Sequence, residues 1–136
     1  MDFFKSLSIA ASGLKAQTGR MRVIAENIAN ADSTPSKLGE DPYWRKIVTF
    51  KRVYDRELNA DVVKLGRVAT DRSQFGSRFE PGNPAADTKG NVLTPNVSSV
   101  IETMDMREAQ RTYEANLNVV TATRRMISRT LDILKA

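Results

Sequence analysis

The sequence predicts a mainly α-helical protein with a small β-rich insert, its long N- and C-terminal helices packed as a coiled-coil-like pair. Three observations carry that reading. All five prolines, at positions 35, 42, 81, 84 and 95, fall in the middle of the 136 residues. Apolar residues recur at helical spacing at both ends, and between them short apolar runs alternate with turn residues. The chain accordingly divides into residues 1–31, an N-terminal helix; residues 32–95, a hairpin- and loop-rich insert; and residues 96–136, a long C-terminal helix.

In the first segment Leu7, Ala11, Leu14, Thr18, Met21, Ala25 and Ile28 recur at alternating steps of four and three, which makes one stripe on a helix. Phe3, Phe4, Ala10 and Ile24 widen it. Gly13 and Gly19 each weaken an isolated helix by roughly 1 kcal/mol relative to Ala. The segment is therefore expected to be helical mainly when its apolar face is covered, and its small residues would let a partner helix come close.

In the insert, Tyr43 to Tyr54 holds Trp44, Ile47, Val48, Phe50 and Val53 among Arg and Lys, the pattern of a half-covered strand. Asp61 to Thr70 repeats it more weakly around Val63, Leu65 and Val68. Phe79 to Pro84 and Lys89-Gly90-Asn91 are turn chemistry.

The last segment opens on Ser99-Val100-Ile101-Glu102, a capping box, with Asn96 as an alternative N-cap one turn earlier. Met106, Tyr113, Leu117, Val120, Ile127, Leu131 and Leu134 then follow one heptad track, with Gln110 and Arg124 at its polar positions. Val119, Met126 and Ile133 form a second. Ser99 to Lys135 would be a rod of roughly 55 Å, and Phe3 to Ala29 would cover only about 40 Å of it. An antiparallel or coiled hairpin of such helices leaves apolar surface over. The expected subunit-interface residues are Leu7, Leu14, Met21 and Ile28 on the first helix, and Tyr113, Leu117, Val120, Ile127, Leu131 and Leu134 on the second.

Composition excludes most chemistry. With no Cys and no His, the chain cannot build a thiolate or imidazole metal site, a Cys nucleophile or a His-based triad. No cofactor or metal is expected. Asp87-Thr88-Lys89-Gly90-Asn91 lacks the spacing of a phosphate loop and the ligand set of a calcium loop, and reads as a turn. Asp105 and Glu108 are interleaved with Arg107 and Arg111 and are expected to form exposed ion pairs with them. Among Asn27, Asn30, Asn116 and Asn118, capping or solvation is the default. Asn116, beside Leu117 and Val120, could instead set register between helices.

The net charge of +5 is spread over all three segments. Arg124, Arg125 and Arg129, with Lys51, Arg52 and Arg56, are the whole case for nucleic acid, and no recognition motif accompanies them, so no nucleic-acid partner is expected. No run approaches the roughly 18 apolar residues of a membrane span. Asp2, Lys5 and the serines at 6, 8 and 12 do not fit a cleavable secretory signal, so a route out of the cytoplasm would be a different one.

Three ordered motifs resemble a known family. Ala25-Glu26-Asn27-Ile28-Ala29-Asn30-Ala31-Asp32-Ser33-Thr34-Pro35 is similar to the N-terminal signature of the bacterial flagellar axial proteins, the rod and hook components. Ala109-Gln110-Arg111-Thr112-Tyr113-Glu114-Ala115-Asn116-Leu117-Asn118-Val119 resembles their C-terminal signature. Phe79 to Pro84, Ala86-Asp87, Lys89-Gly90-Asn91-Val92 and Pro95-Asn96-Val97 look like the proximal members of the basal-body rod family. The family's Thr-Pro-Gly-Tyr is split, with Thr34-Pro35 standing apart from Pro42-Tyr43, an extension typical of one class of rod protein.

The resemblance implies a structural protein without catalysis. Its helices would stack into an axial tube around an export channel, and its insert would face outward. The implied partners are copies of itself, other flagellar rod proteins, the flagellar type III export apparatus during secretion, and a basal-body adaptor at the rod base. The implied location is the periplasmic rod of the flagellar basal body, after synthesis in the cytoplasm and export without a cleaved signal. The alternatives weighed against it are a helical nucleic-acid-binding protein and a carboxylate-dependent enzyme of the cell wall.

Overall fold

The computed structural model describes residues 2–135. Helix α1 (Phe3–Asn30) and helix α2 (Ser99–Lys135) bracket six short strands: β1 (Lys46–Ile47), β2 (Phe50–Asp55), β3 (Ala60–Leu65), β4 (Ala69–Thr70), β5 (Gly76–Phe79) and β6 (Asn91–Thr94). The strands pair only in twos, all antiparallel: β1 with β4, β2 with β3, and β5 with β6. The residues gather into two compact units. One holds Met1–Met21, Thr49–Gly66 and Arg107–Ala136; the other holds Arg22–Val48 and Arg67–Met106.

Asp2 starts α1. Its carboxylate accepts from the Lys5 amide at 3.0 Å and its carbonyl accepts from the Ser6 amide at 3.1 Å, which satisfies two donors of the first turn. At the far end the Ala31 amide turns back to the Ile28 carbonyl at 3.2 Å, and the Ser33 hydroxyl donates to the Asn30 carbonyl at 2.8 Å.

In the first unit the two helices run antiparallel, because Gly13 faces Asn116 while Arg20 pairs with Glu108 at 3.6 Å. The buried residues of its helices are small or polar, Ala10, Ala16 and Gln17 on α1 and Ala109 and Thr123 on α2, and Val62 of β3 is buried as well. A Cβ on Gly13 would stand 3.0 Å from the Asn116 amide, so the missing side chain is what lets the amide sit against the helix. That register puts Phe3 level with Met126, and the last turns of α2 run past the first residue of α1. The β2–β3 hairpin covers another side of α1. Leu65 lies over Gly19, the Val63 amide donates to the Ser12 hydroxyl at 3.2 Å, and the Lys5 ammonium donates to the Asn59 carbonyl at 3.0 Å. Asn59 takes the left-handed conformation that the tight turn requires, with φ 49°, and its side chain bonds the Tyr54 hydroxyl.

The hairpin closes where the Gly66 amide donates to the Thr49 carbonyl at 2.6 Å. A Cβ at position 66 would meet that carbonyl oxygen at 2.8 Å. Backbone cannot yield as a side-chain tip does, so Gly66→Ala is expected to cost about 1–3 kcal/mol. Urea unfolding should show a lower midpoint for it, whereas Gly82→Ala, which meets nothing within 4 Å, should leave the midpoint nearly unchanged.

In the second unit Val23, Ile24 and Asn27 of α1 are buried, as are Ala31, Ala85, Val92 and Glu102. Trp44 packs on Phe75 with ring centroids 4.0 Å apart, and the Arg72 guanidinium lies 5.3 Å from the Trp44 ring centre.

Two expectations for the insert are corrected. The strand expected over Tyr43–Tyr54 is broken at Val48 and Thr49, and only Lys46–Ile47 and Phe50–Asp55 form ladders. The ladder partner changes at the break, from β4 before it to β3 after it, and side chains brace the residues before it. Asn96 accepts from the Arg45 amide at 2.8 Å, and Asn27 accepts from the Lys46 amide at 3.0 Å. The matching stretch Asp61–Thr70 splits likewise into β3 and β4. Strand β5 was not expected, since Gly76-Ser77-Arg78-Phe79 carries no apolar alternation.

Candidate assembly interface

A polar hub holds the second unit together. Glu102 is 1% exposed; it accepts from the Arg45 guanidinium at 2.6 Å and from the Asn27 amide at 3.1 Å. Arg45 reaches on to Asp71 at 3.5 Å and Asp105 at 3.8 Å. Asn27, equally buried, spends its oxygen on the Tyr43 hydroxyl at 2.9 Å and the Lys46 amide, and its NH2 also donates to the Lys46 carbonyl at 2.8 Å. Lys46 pairs with Glu26. Asn96 completes the set by donating to the Asp71 carbonyl and the Ser73 hydroxyl, both at 2.9 Å.

This hub corrects three local readings. Glu102 and Asn96 are both committed here, so neither the capping box nor the Asn96 cap forms; the Ser98 carbonyl accepts from the Glu102 amide at 2.9 Å instead. Asp105 and Glu108 pair with Arg45 and Arg20 rather than with Arg107 and Arg111. Asn27 is a structural centre rather than a cap or a solvated amide. Its position between Ile24 and Ile28 was the available signal, because an amide inside an apolar run must find buried partners. Asn30 does bond locally, to the Glu26 carbonyl at 2.8 Å.

Burial opposes the Arg45 charge, but the Glu102 hydrogen bond and the carboxylates around it outweigh burial and hold the guanidinium pKa up. Burial, then the Glu26 charge, raises Tyr43. Bonds from the Ser73 amide and hydroxyl, with help from Arg45, hold Asp71 below the usual carboxylate range. Glu80 is lowered by Asn83 and Arg78, and Asp87 by the amides of Asn91 and Lys89. The last pair of bonds, at 2.9 and 2.8 Å, with Gly90 at φ 82°, makes the Asp87–Asn91 stretch an Asx turn, as its residues predict.

Because these three carboxyls have lower pKa values folded than unfolded, the stability they add is complete above their unfolded values near 4 and disappears as pH falls through the folded ones. Urea midpoints should therefore be flat above about pH 5 and drop below about pH 4. Asp71→Asn should soften that drop.

No group of three or more His, Cys, Asp or Glu among the described residues is placed to hold a metal. The hub carboxylates are tied in ion pairs, and what the arrangement does is fix loops to helices.

The expected interface residues divide between flank and surface. On α1, Leu7, Leu14, Met21 and Ile28 are half-buried on the flank of the helix, while Ala10, Gly13, Gln17 and Arg20 make up the side turned to α2 in the first unit. On α2, Tyr113, Val120 and Ile127 are half-buried. Leu117 is 44% exposed, Leu131 50% and Leu134 77%, and the second track, Val119, Met126 and Ile133, is also exposed. The residues turned inward are Ala109, Asn116 and Thr123, seven apart. Asn116 lies against Gly13, and its NH2 bonds locally to the Thr112 carbonyl at 3.1 Å. No helix among the described residues is long and apolar enough to cross a membrane.

Comparison with known proteins points to one family. The model described as "Flagella basal body rod protein" matches residues 7–35, nearly all of α1 and the turn after it. The model described as "Flagellar basal body rod FlgEFG protein C-terminal" matches residues 88–133, from the Asx turn through most of α2. Among characterised relatives, the flagellar basal-body rod protein FlgC of Agrobacterium fabrum is 50% identical over 94% of this chain and 92% of its own length. The FlgC proteins of Bacillus subtilis and Aquifex aeolicus are 35% and 37% identical over 99% of this chain, and are themselves covered over 100% and 99%. With rod models on both terminal regions and relatives of one name matched along nearly the whole length, the chain belongs to the FlgC family of flagellar basal-body rod proteins.

Proposed function

We propose that this chain is a structural subunit of the bacterial flagellar basal-body rod, in its proximal part, where it polymerises with copies of itself and with other rod proteins. It acts in flagellar motility by transmitting torque along a hollow shaft that encloses the export channel. It has no catalytic role. Full-length identity to FlgC proteins carries this reading. The uncovered apolar residues of α2 support it, since subunits of a helical polymer make heterologous contacts that need not close.

The expected seam residues take their place here as inter-subunit contacts. Leu7, Leu14, Met21 and Ile28 contribute from the flank of α1; Tyr113, Leu117, Val120, Ile127, Leu131 and Leu134 contribute from α2. The subunit leaves the cytoplasm through the flagellar type III apparatus with no signal cleaved, and meets an adaptor at the rod base. Gly13 and Gly19 suit that route by lowering the helicity of a chain that has no partner yet. Imaging purified basal bodies at a resolution that traces side chains tests the proposal, and density for this chain is expected in the proximal rod. Its absence there overturns the proposal.

A further inference from the structure

Two features in one chain fit each other. The first is a groove of about 410 Å³ in the second unit, between the loop that follows α1 and the β5–β6 pair. Its apolar wall includes Pro35, Leu38, Val92 and Leu93, and Leu38 and Leu93 remain 62% and 46% exposed. The charged residues lining it are both carboxylates, Glu40 and Asp87. A cleft of that size takes a few large apolar side chains, and its rim favours a guest carrying cations.

The second feature is the end of α2. There Ile127, Leu131 and Leu134 recur at helical spacing with Met126 and Ile133 beside them, and four of these five are 41–77% exposed. Arg124 before the stripe and Lys135 after it lie on its side of the helix, whereas Arg125 and Arg129 fall on the far side. The stripe thus offers what the groove lacks: large apolar anchors one turn apart, flanked by positive charge. Helix-in-groove recognition uses that i, i+4, i+7 spacing. Acidic groove and basic-flanked apolar stripe are complementary in charge, and a polymer of this chain presents each to other copies, so the donor is a second copy.

Resting on the rod-subunit reading above, we infer that the groove between Leu38 and Leu93 receives the Ile127–Leu134 stripe of another copy of this chain, with Arg124 set against Glu40. The contact is heterologous, since groove and stripe are different patches, and it therefore repeats from copy to copy.

The chain has no cysteine, so introduced thiols report single positions. Leu38→Cys and Leu131→Cys are placed in separate copies, co-expressed, and basal bodies are isolated under oxidation. A disulfide-linked dimer that forms only when both variants are present is the expected result. Both variants incorporated without a dimer, or a disulfide formed within one chain carrying both, overturns the inference and leaves the rod reading standing. Absence of the unmodified chain from basal bodies overturns the rod reading itself. As a second measurement, Glu40→Lys and Arg124→Glu should each lower incorporation about tenfold, and the double reversal should restore it. No restoration overturns the pairing. A benzophenone maleimide on Leu38→Cys that captures a different rod protein and not this chain overturns the choice of occupant. Glu40 is varied rather than Asp87 because Asp87 also organises its own turn.

Discussion

Cells carrying Leu131→Asp should express the protein at normal level and be non-motile, with the chain missing from purified basal bodies. Leu131 is half exposed in the isolated chain, and an exposed substitution there changes stability by no more than about 0.5 kcal/mol. The proposed inter-subunit contact covers that side chain, and burying a carboxylate without a partner costs several kcal/mol or forces its protonation. The penalty recurs at every copy of a polymer, so loss of incorporation by more than about a hundredfold is expected from roughly 3 kcal/mol per contact. Leu117→Asp, at 44% exposure, should behave the same way. Circular dichroism of each purified variant should match the parent, which separates failed assembly from failed folding. Motile cells with either change would refute the interface assignment.

Arg45→Met should be the most destabilising single change in the second unit, lowering stability by about 3–5 kcal/mol. It leaves the Glu102 carboxylate, 1% exposed, with only the Asn27 amide at 3.1 Å to compensate its charge. Removing both charges in Arg45→Met/Glu102→Met should recover much of the loss, because a buried ion pair replaced whole is often nearly neutral. A double-mutant cycle on urea midpoints measures the difference as a coupling energy. Equal losses from the single and the double variant would show that Arg45 acts through its packing rather than through its pair with Glu102.

How much of this was legible in the sequence depends on how local the physics is. The helices were, because apolar spacing over many turns is a repeated signal, and Pro35 and Pro95 stand just outside them. The faces of the helices were harder. Choosing by size picks Leu7, Leu14 and Met21, whereas the deepest burial and closest approach belong to residues without bulk, Ala10 and, against Asn116, Gly13. A large side chain on a polymer subunit is not obliged to face its own chain. The hub was invisible because Asn27, Arg45, Asp71, Asn96 and Glu102 are scattered through the sequence, and only the fold brings them within hydrogen-bond reach. Glu102 misled for the same reason: its place three residues after Ser99 fits a local cap, but a long-range partner took it. The split of Tyr43–Tyr54 follows too, since its two halves pair with different strands, β1 with β4 and β2 with β3, while Asn27 and Asn96 hold the Lys46 and Arg45 amides.

Trp44, the one tryptophan of the chain, lies against Phe75 with Arg72 over its ring. Its fluorescence is therefore a built-in optical reporter on the second unit, while far-ultraviolet ellipticity is dominated by the two helices. Following both signals through one denaturation measures whether the ordering of the insert is cooperative with that of the helices. A subunit that matures in stages would show two curves, and one that snaps shut as a whole would show a single curve.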